Sequence, residues 1–120
     1  MTRLLLAGAG GFVGSMVRYG ISLLMQKWTL SFPWPTLLIN ILGCFLIGAV
    51  MPSVESKPYW LAFVVPGLLG GFTTFSAFGH ETQRLAQGGA PGLAAVYVAS
   101  SVGLGLGAVW LGRGLAQYLK

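Results

Sequence analysis

Amides, hydroxyls and aromatic rings set inside apolar runs are the residues of this chain whose chemistry asks for an explanation. The densest set is Gly70–Phe78, GGFTTFSAF, where Thr73, Thr74 and Ser76 offer hydroxyls and Phe72, Phe75 and Phe78 recur at every third position. Asn40 lies midway along TLLINILGCF, with Thr36 and Cys44 on its face at spacings of four. Tyr97 and Ser101 share a helix face for the same reason, with Ser100 beside them. An asparagine amide carries N–H donors and a carbonyl acceptor, and leaving them unpaired in hydrocarbon is expensive. An aromatic ring is electropositive at its edge. Donors of this kind, with almost no carboxylate among them, suit the lining of a path for an anion better than one for a cation.

Each residue also has a plainer role. Arg18 is either an interfacial anchor that snorkels or part of an electropositive vestibule; an arginine at the bilayer centre costs about 2.5–3.5 kcal/mol, so it must find partners or an exit. Asn40 either holds helices together, a contact worth about 0.6 kcal/mol, or offers its N–H groups to a passing ion. Any one phenylalanine more commonly faces lipid or core. His80 and Glu81 are adjacent, so on a helix they point apart, and no serine or cysteine nucleophile is placed to complete a catalytic site. The expectation is that the chain is not an enzyme.

The elements that must position these groups follow from composition. The chain has 120 residues, 55% hydrophobic and only 8% charged, where a soluble domain carries about 25% charged residues. Water is therefore not its only solvent. Spanning helices need about 20 mostly apolar residues, and apolar runs fall at about 4–25, 36–51, 61–80 and 93–113. The expected fold is an all-α integral membrane protein, one domain of four transmembrane helices. Trp28, Trp34, Tyr59, Trp60 and Trp110 lie near segment ends, at headgroup level. Pro66, Gly67, Gly70 and Gly71 weaken the third helix near its middle, and a broken backbone is tolerated at that depth only in protein or beside a wet cavity. Released carbonyls there can hold a cation and released N–H groups an anion.

Several other readings fail. The first segment resembles a secretory signal, but Arg18 interrupts it and no polar domain follows, so it is taken as a retained span. GAGGFVG brushes against a dinucleotide fingerprint without a preceding strand or the right spacing. The single Cys44 excludes an internal disulfide and argues against a thiolate metal cage. The formal charge of +5 comes from scattered cations without a basic run, so nucleic acid is not an expected partner.

Small residues gather where membrane helices touch. Ala95, Ala99, Gly103 and Gly107 form one such stripe, and Gly10 and Gly14 another, with Arg18 one turn on. Four short helices cannot shelter all these polar groups from lipid, so a homo-oligomer, most simply a dimer, is expected. The termini and second loop hold Arg3, Lys57, Arg113 and Lys120; the other side holds Lys27 and Arg84. Orientation follows the bias of such cations, and here the bias is weak. It permits either cytoplasmic termini or insertion both ways with antiparallel pairing.

GGFVGSMVRY, TLLINILGCFLIG and GGFTTFSAF followed by Glu81 resemble the signature blocks of the Fluc (CrcB) fluoride channels, covering three of the four segments in order. The resemblance implies an antiparallel dual-topology homodimer in the plasma (inner) membrane, exporting toxic fluoride passively through two pores. It also implies a structural sodium ion at the dimer centre. By motif position, Asn40 would be the pore amide and Phe75 and Phe78 the fluoride-facing rings. Ser76 would add a hydroxyl to that stretch. Tyr97, Ser101 and Glu81 would line a polar track, Arg18 would stand near the entrance, and Gly70 and Thr73 would give backbone carbonyls to sodium. The chain departs from the pattern at Cys44, Ala77, Gly105 and Ala108. Rival readings are a small proton-coupled multidrug-type exporter, which needs a carboxylate within a span, and a non-conducting membrane assembly subunit.

Overall fold

The computed structural model describes residues 1–119, and the described residues form helices and short connections. In chain order the helices are α1 (Thr2–Leu24), α2 (Trp34–Val54), α3 (Pro58–Ala62), α4 (Gly70–Phe72), α5 (Phe75–Gln87) and α6 (Pro91–Tyr118). A 3₁₀ turn, Gln26–Trp28, follows α1, and a π-helical turn, Phe63–Leu69, joins α3 to α4. Taken together, α3 to α5 make one interrupted rod, Pro58–Gln87, so that four rods are long and apolar enough to cross a membrane. Prolines start three of the helices at their first positions, where the missing N–H costs nothing and the fixed φ suits the helix.

Packing follows the small residues. A Cβ on Gly10 would collide with the Phe63 carbonyl and one on Gly14 with the Leu68 carbonyl. The absence of side chains thus lets α1 lie backbone to backbone on the π turn. On the other side, α2 meets α6 where Gly48 abuts the Val109 carbonyl and Gly112 the Phe45 carbonyl.

The stripe read from the sequence of α6 lies elsewhere. Ala95, Ala99, Gly103 and Gly107 are exposed, while Ala94, Gly105, Ala108 and Gly112 are buried. Steps of strictly four residues drift around a helix of 3.6 residues per turn, whereas the buried set mixes steps of three and four and so stays on one face.

The third rod breaks at Thr73 and Thr74, whose backbones are extended (φ −84°, ψ 162° and φ −152°, ψ 122°). The break follows the glycine pair rather than Pro66, which sits within the π turn. A π turn already leaves the i−4 register that proline disrupts, so the rod absorbs Pro66 without stopping.

Candidate functional site

The break is held open from α2. Thr74 would normally donate its N–H to Gly70; instead it donates to Asn40 Oδ1 at 2.9 Å, and Asn40 Nδ2 donates to the Thr74 carbonyl at 3.0 Å. One side-chain amide therefore pairs with both polar groups of one residue, as a neighbouring strand would. Thr74 then restarts the helix: its Oγ1 accepts from the Ala77 N–H at 3.2 Å, an N-cap.

From the opposite face, Arg18 Nε donates to the Gly71 carbonyl at 3.0 Å, and Ser15 Oγ to the same oxygen at 3.5 Å. Arg18 is half-buried and faces a carbonyl released by the break. Among the described residues the Gly70 and Thr73 carbonyls receive no hydrogen bond.

A cleft of about 390 Å³ opens beside the break, walled by α2, the interrupted rod and α6. Of the residues singled out by sequence, Asn40, Phe75, Phe78, Ser101, Gly70 and Thr73 line it together. Its wall also includes Thr74 and Cys44. The Phe75 ring is 84% exposed, so it stands at the open side of the cleft. The Ser101 hydroxyl is buried and has no hydrogen-bond partner, an unusual state for a buried polar group.

Tyr97 and Glu81 lie next to this cleft rather than in its wall. Glu81 takes two hydroxyl donors, Thr36 Oγ1 to Oε1 at 2.8 Å and Tyr97 OH to Oε2 at 2.7 Å. Tyr97 is fully buried, and its ring is 5.3 Å from that of Phe78, which lies 5.5 Å from Phe75. The rings thus run in contact from the exposed rim to the half-buried Glu81 carboxylate. Ser76 is exposed, with its hydroxyl 3.3 Å from that of Thr74. Arg18 is tied to the back of the break, through Gly71.

Thr36, Thr74 and Ser15 were not among the site residues expected from sequence. Thr36 is legible on the Asn40 face but without a role, because its partner Glu81 is 45 residues away; Ser15 could have been found as the hydroxyl one turn before Arg18.

The chain as a whole has close relatives in sequence. The family described as CrcB-like protein, Camphor Resistance (CrcB), matches residues 5–113. The chain belongs to the CrcB family. Within that family it is similar to proteins named fluoride-specific ion channel FluC along nearly their full length. The one from Thermus thermophilus is 46% identical, with 99% of this chain and 98% of that protein covered. The Methylobacillus flagellatus protein is 42% identical, covering 98% and 96%. The Rhizobium meliloti protein is 40% identical, covering 98% of each. A CrcB-family chain is a membrane protein, in keeping with the four candidate spans.

Proposed function

We propose that this chain is the subunit of a fluoride-selective channel that lets toxic fluoride leave the cell passively across the plasma membrane. The cleft beside the Thr73–Thr74 break carries this reading, because it gathers neutral donors without a carboxylate in its wall. Fluoride is small and strongly hydrated, so a pore has to replace its water with several donors at once, yet weakly enough to let it go. Asn40 has a second Nδ2 hydrogen beyond the one given to Thr74, and Ser101 has an uncommitted hydroxyl. The edges of Phe75 and Phe78 would bring further positive potential without fixed charge. Tyr97, Glu81 and Ser76 would continue the polar track.

The same reading pairs two copies antiparallel. The exposed Phe75 ring and the open side of the cleft favour a second wall, and two pores would then follow from two-fold symmetry. The carbonyls of Gly70 and Thr73 fit a structural sodium ion in kind, being neutral oxygens freed of helix donors. One chain offers too few for a cage, so the ion belongs between two subunits. When bound it would supply positive potential at the centre. Arg18, anchored on Gly71, would hold one side of that break in register and add positive charge near the pore entrance.

A proton-coupled exporter requires a carboxylate free to trade protons, whereas both Glu81 oxygens are occupied by hydroxyl donors. Purified protein in liposomes should therefore release fluoride, retain chloride and need no proton gradient. Equal release of both anions, or release of neither, would refute the channel. Phe75→Ile or Phe78→Ile should lower fluoride release without changing the size of the assembly.

A further inference from the structure

A second cleft, of about 320 Å³, lies between the start of α1 and the start of α3, remote from the break. Leu6, Tyr59, Trp60 and Phe63 line it, and no polar surface contributes to its walls. Trp60 and Phe63 meet edge to face, centroids 6.4 Å apart and planes at 89°, which sets two walls at a right angle. Tyr59 and Trp60 are 57% and 61% exposed, so the groove faces outward. Rings of this kind belong at the boundary of acyl chains and headgroups.

Two basic residues stand next to the groove's lining along the chain, Arg3 before Leu6 and Lys57 before Tyr59. Arg3 precedes Leu6 by one turn on the same face of α1, and helical side chains lean toward the N-terminus, so its guanidinium projects past the groove toward headgroup level. Lys57 stands immediately before α3, at the same end. Both side chains are exposed and have no partner among the described residues. Glu55 is the acidic group of this loop, and it pairs with neither.

We propose that this groove binds one glycerophospholipid with an anionic headgroup. An acyl chain lies against Leu6, Tyr59, Trp60 and Phe63, and the phosphate sits between Arg3 and Lys57. The occupant is a lipid rather than a second copy of the chain because the site joins a wholly apolar slot to a pair of free cations at its outer end. Two basic side chains at a membrane surface together give roughly a thirtyfold preference for anionic lipid over a zwitterionic lipid of the same chains. Lipid binding at this groove is independent of ion conduction at the break.

The test uses the full chain with Trp28, Trp34 and Trp110 changed to Phe, leaving Trp60 as the reporter. It is reconstituted in phosphatidylcholine vesicles that contain a minor fraction of bromine-labelled phosphatidylglycerol or, in parallel, bromine-labelled phosphatidylcholine. Trp60 fluorescence should be quenched at about thirtyfold lower fraction by the anionic lipid. Adding Arg3→Gln and Lys57→Gln should remove that preference, and adding Lys27→Gln and Arg84→Gln at the other end should leave it. Equal quenching by the two lipids, or a preference that survives Arg3→Gln/Lys57→Gln, overturns the site. Should the tryptophan variant fail to fold, native mass spectrometry of the unaltered chain with equal amounts of the two lipids decides. A phosphatidylglycerol adduct that dominates supports the site, and equal adducts refute it.

Discussion

Asn40 binds both polar groups of Thr74, which makes it a brace for the break as well as a candidate donor to an ion. Asn40→Asp removes the Nδ2 donor and turns a carboxylate toward the Thr74 carbonyl. We expect fluoride release to fall more than about tenfold, which corresponds to 1.4 kcal/mol, and the Thr74 amide to exchange its hydrogen faster. Lost release with unaltered exchange would mean that Asn40 serves the ion alone. The Glu81 group gives a second prediction. Tyr97→Phe leaves Oε2 without its hydroxyl and Thr36→Val leaves Oε1 without its own, each costing about 1–3 kcal/mol in thermal or denaturant unfolding. Because both donors serve one carboxylate, the double variant should depart from the sum of the single effects. Strict additivity would show that the two hydrogen bonds are energetically independent.

Among the elements, the glycine-rich stretch made a broken third helix legible in the sequence, since Gly70 and Gly71 weaken a helix wherever they stand. The place of the break was not legible, because it depends on Asn40 reaching Thr74 from another rod and on the π turn absorbing Pro66. Asn40, Phe75 and Phe78 stood out as polar or aromatic groups in apolar surroundings, whereas Thr36 and Ser15 matter only through partners distant in sequence. For α6 the small-residue count picked the exposed face, because only the partner helix decides which small residues are covered. That difference is testable. Gly112→Val drives a side chain into the Phe45 carbonyl and should lower the stability of the chain by about 1–3 kcal/mol or more. Gly107→Val has open space around its Cβ, so the fold of the single chain should survive; weaker self-association in detergent would then assign this stripe to contact between copies. Equal loss of stability in both variants would contradict the packing of α2 on α6.

At the scale of the whole molecule, the proposed antiparallel pair requires one sequence to insert in two orientations. The charge pattern makes this physically accessible: the end with the termini carries Arg3, Lys57, Arg113 and Lys120, the other Lys27 and Arg84, and orientation follows the cation bias of short loops. A few added charges should therefore fix either orientation. Thr2→Lys with Ser56→Lys adds cations at the termini and should hold that end in the cytoplasm. Gln26→Lys and Gln87→Lys with Arg113→Gln should hold the opposite end there. A reporter at the C-terminus of the unaltered chain should label both membrane faces, and each biased variant only one. If the two copies of the channel must run in opposite directions, either biased variant expressed alone should lose nearly all fluoride release, and expressing the two together should restore it. Full release from one biased variant alone would rule out antiparallel pairing while leaving a parallel channel possible, because the cleft beside the break belongs to each chain whichever way it crosses.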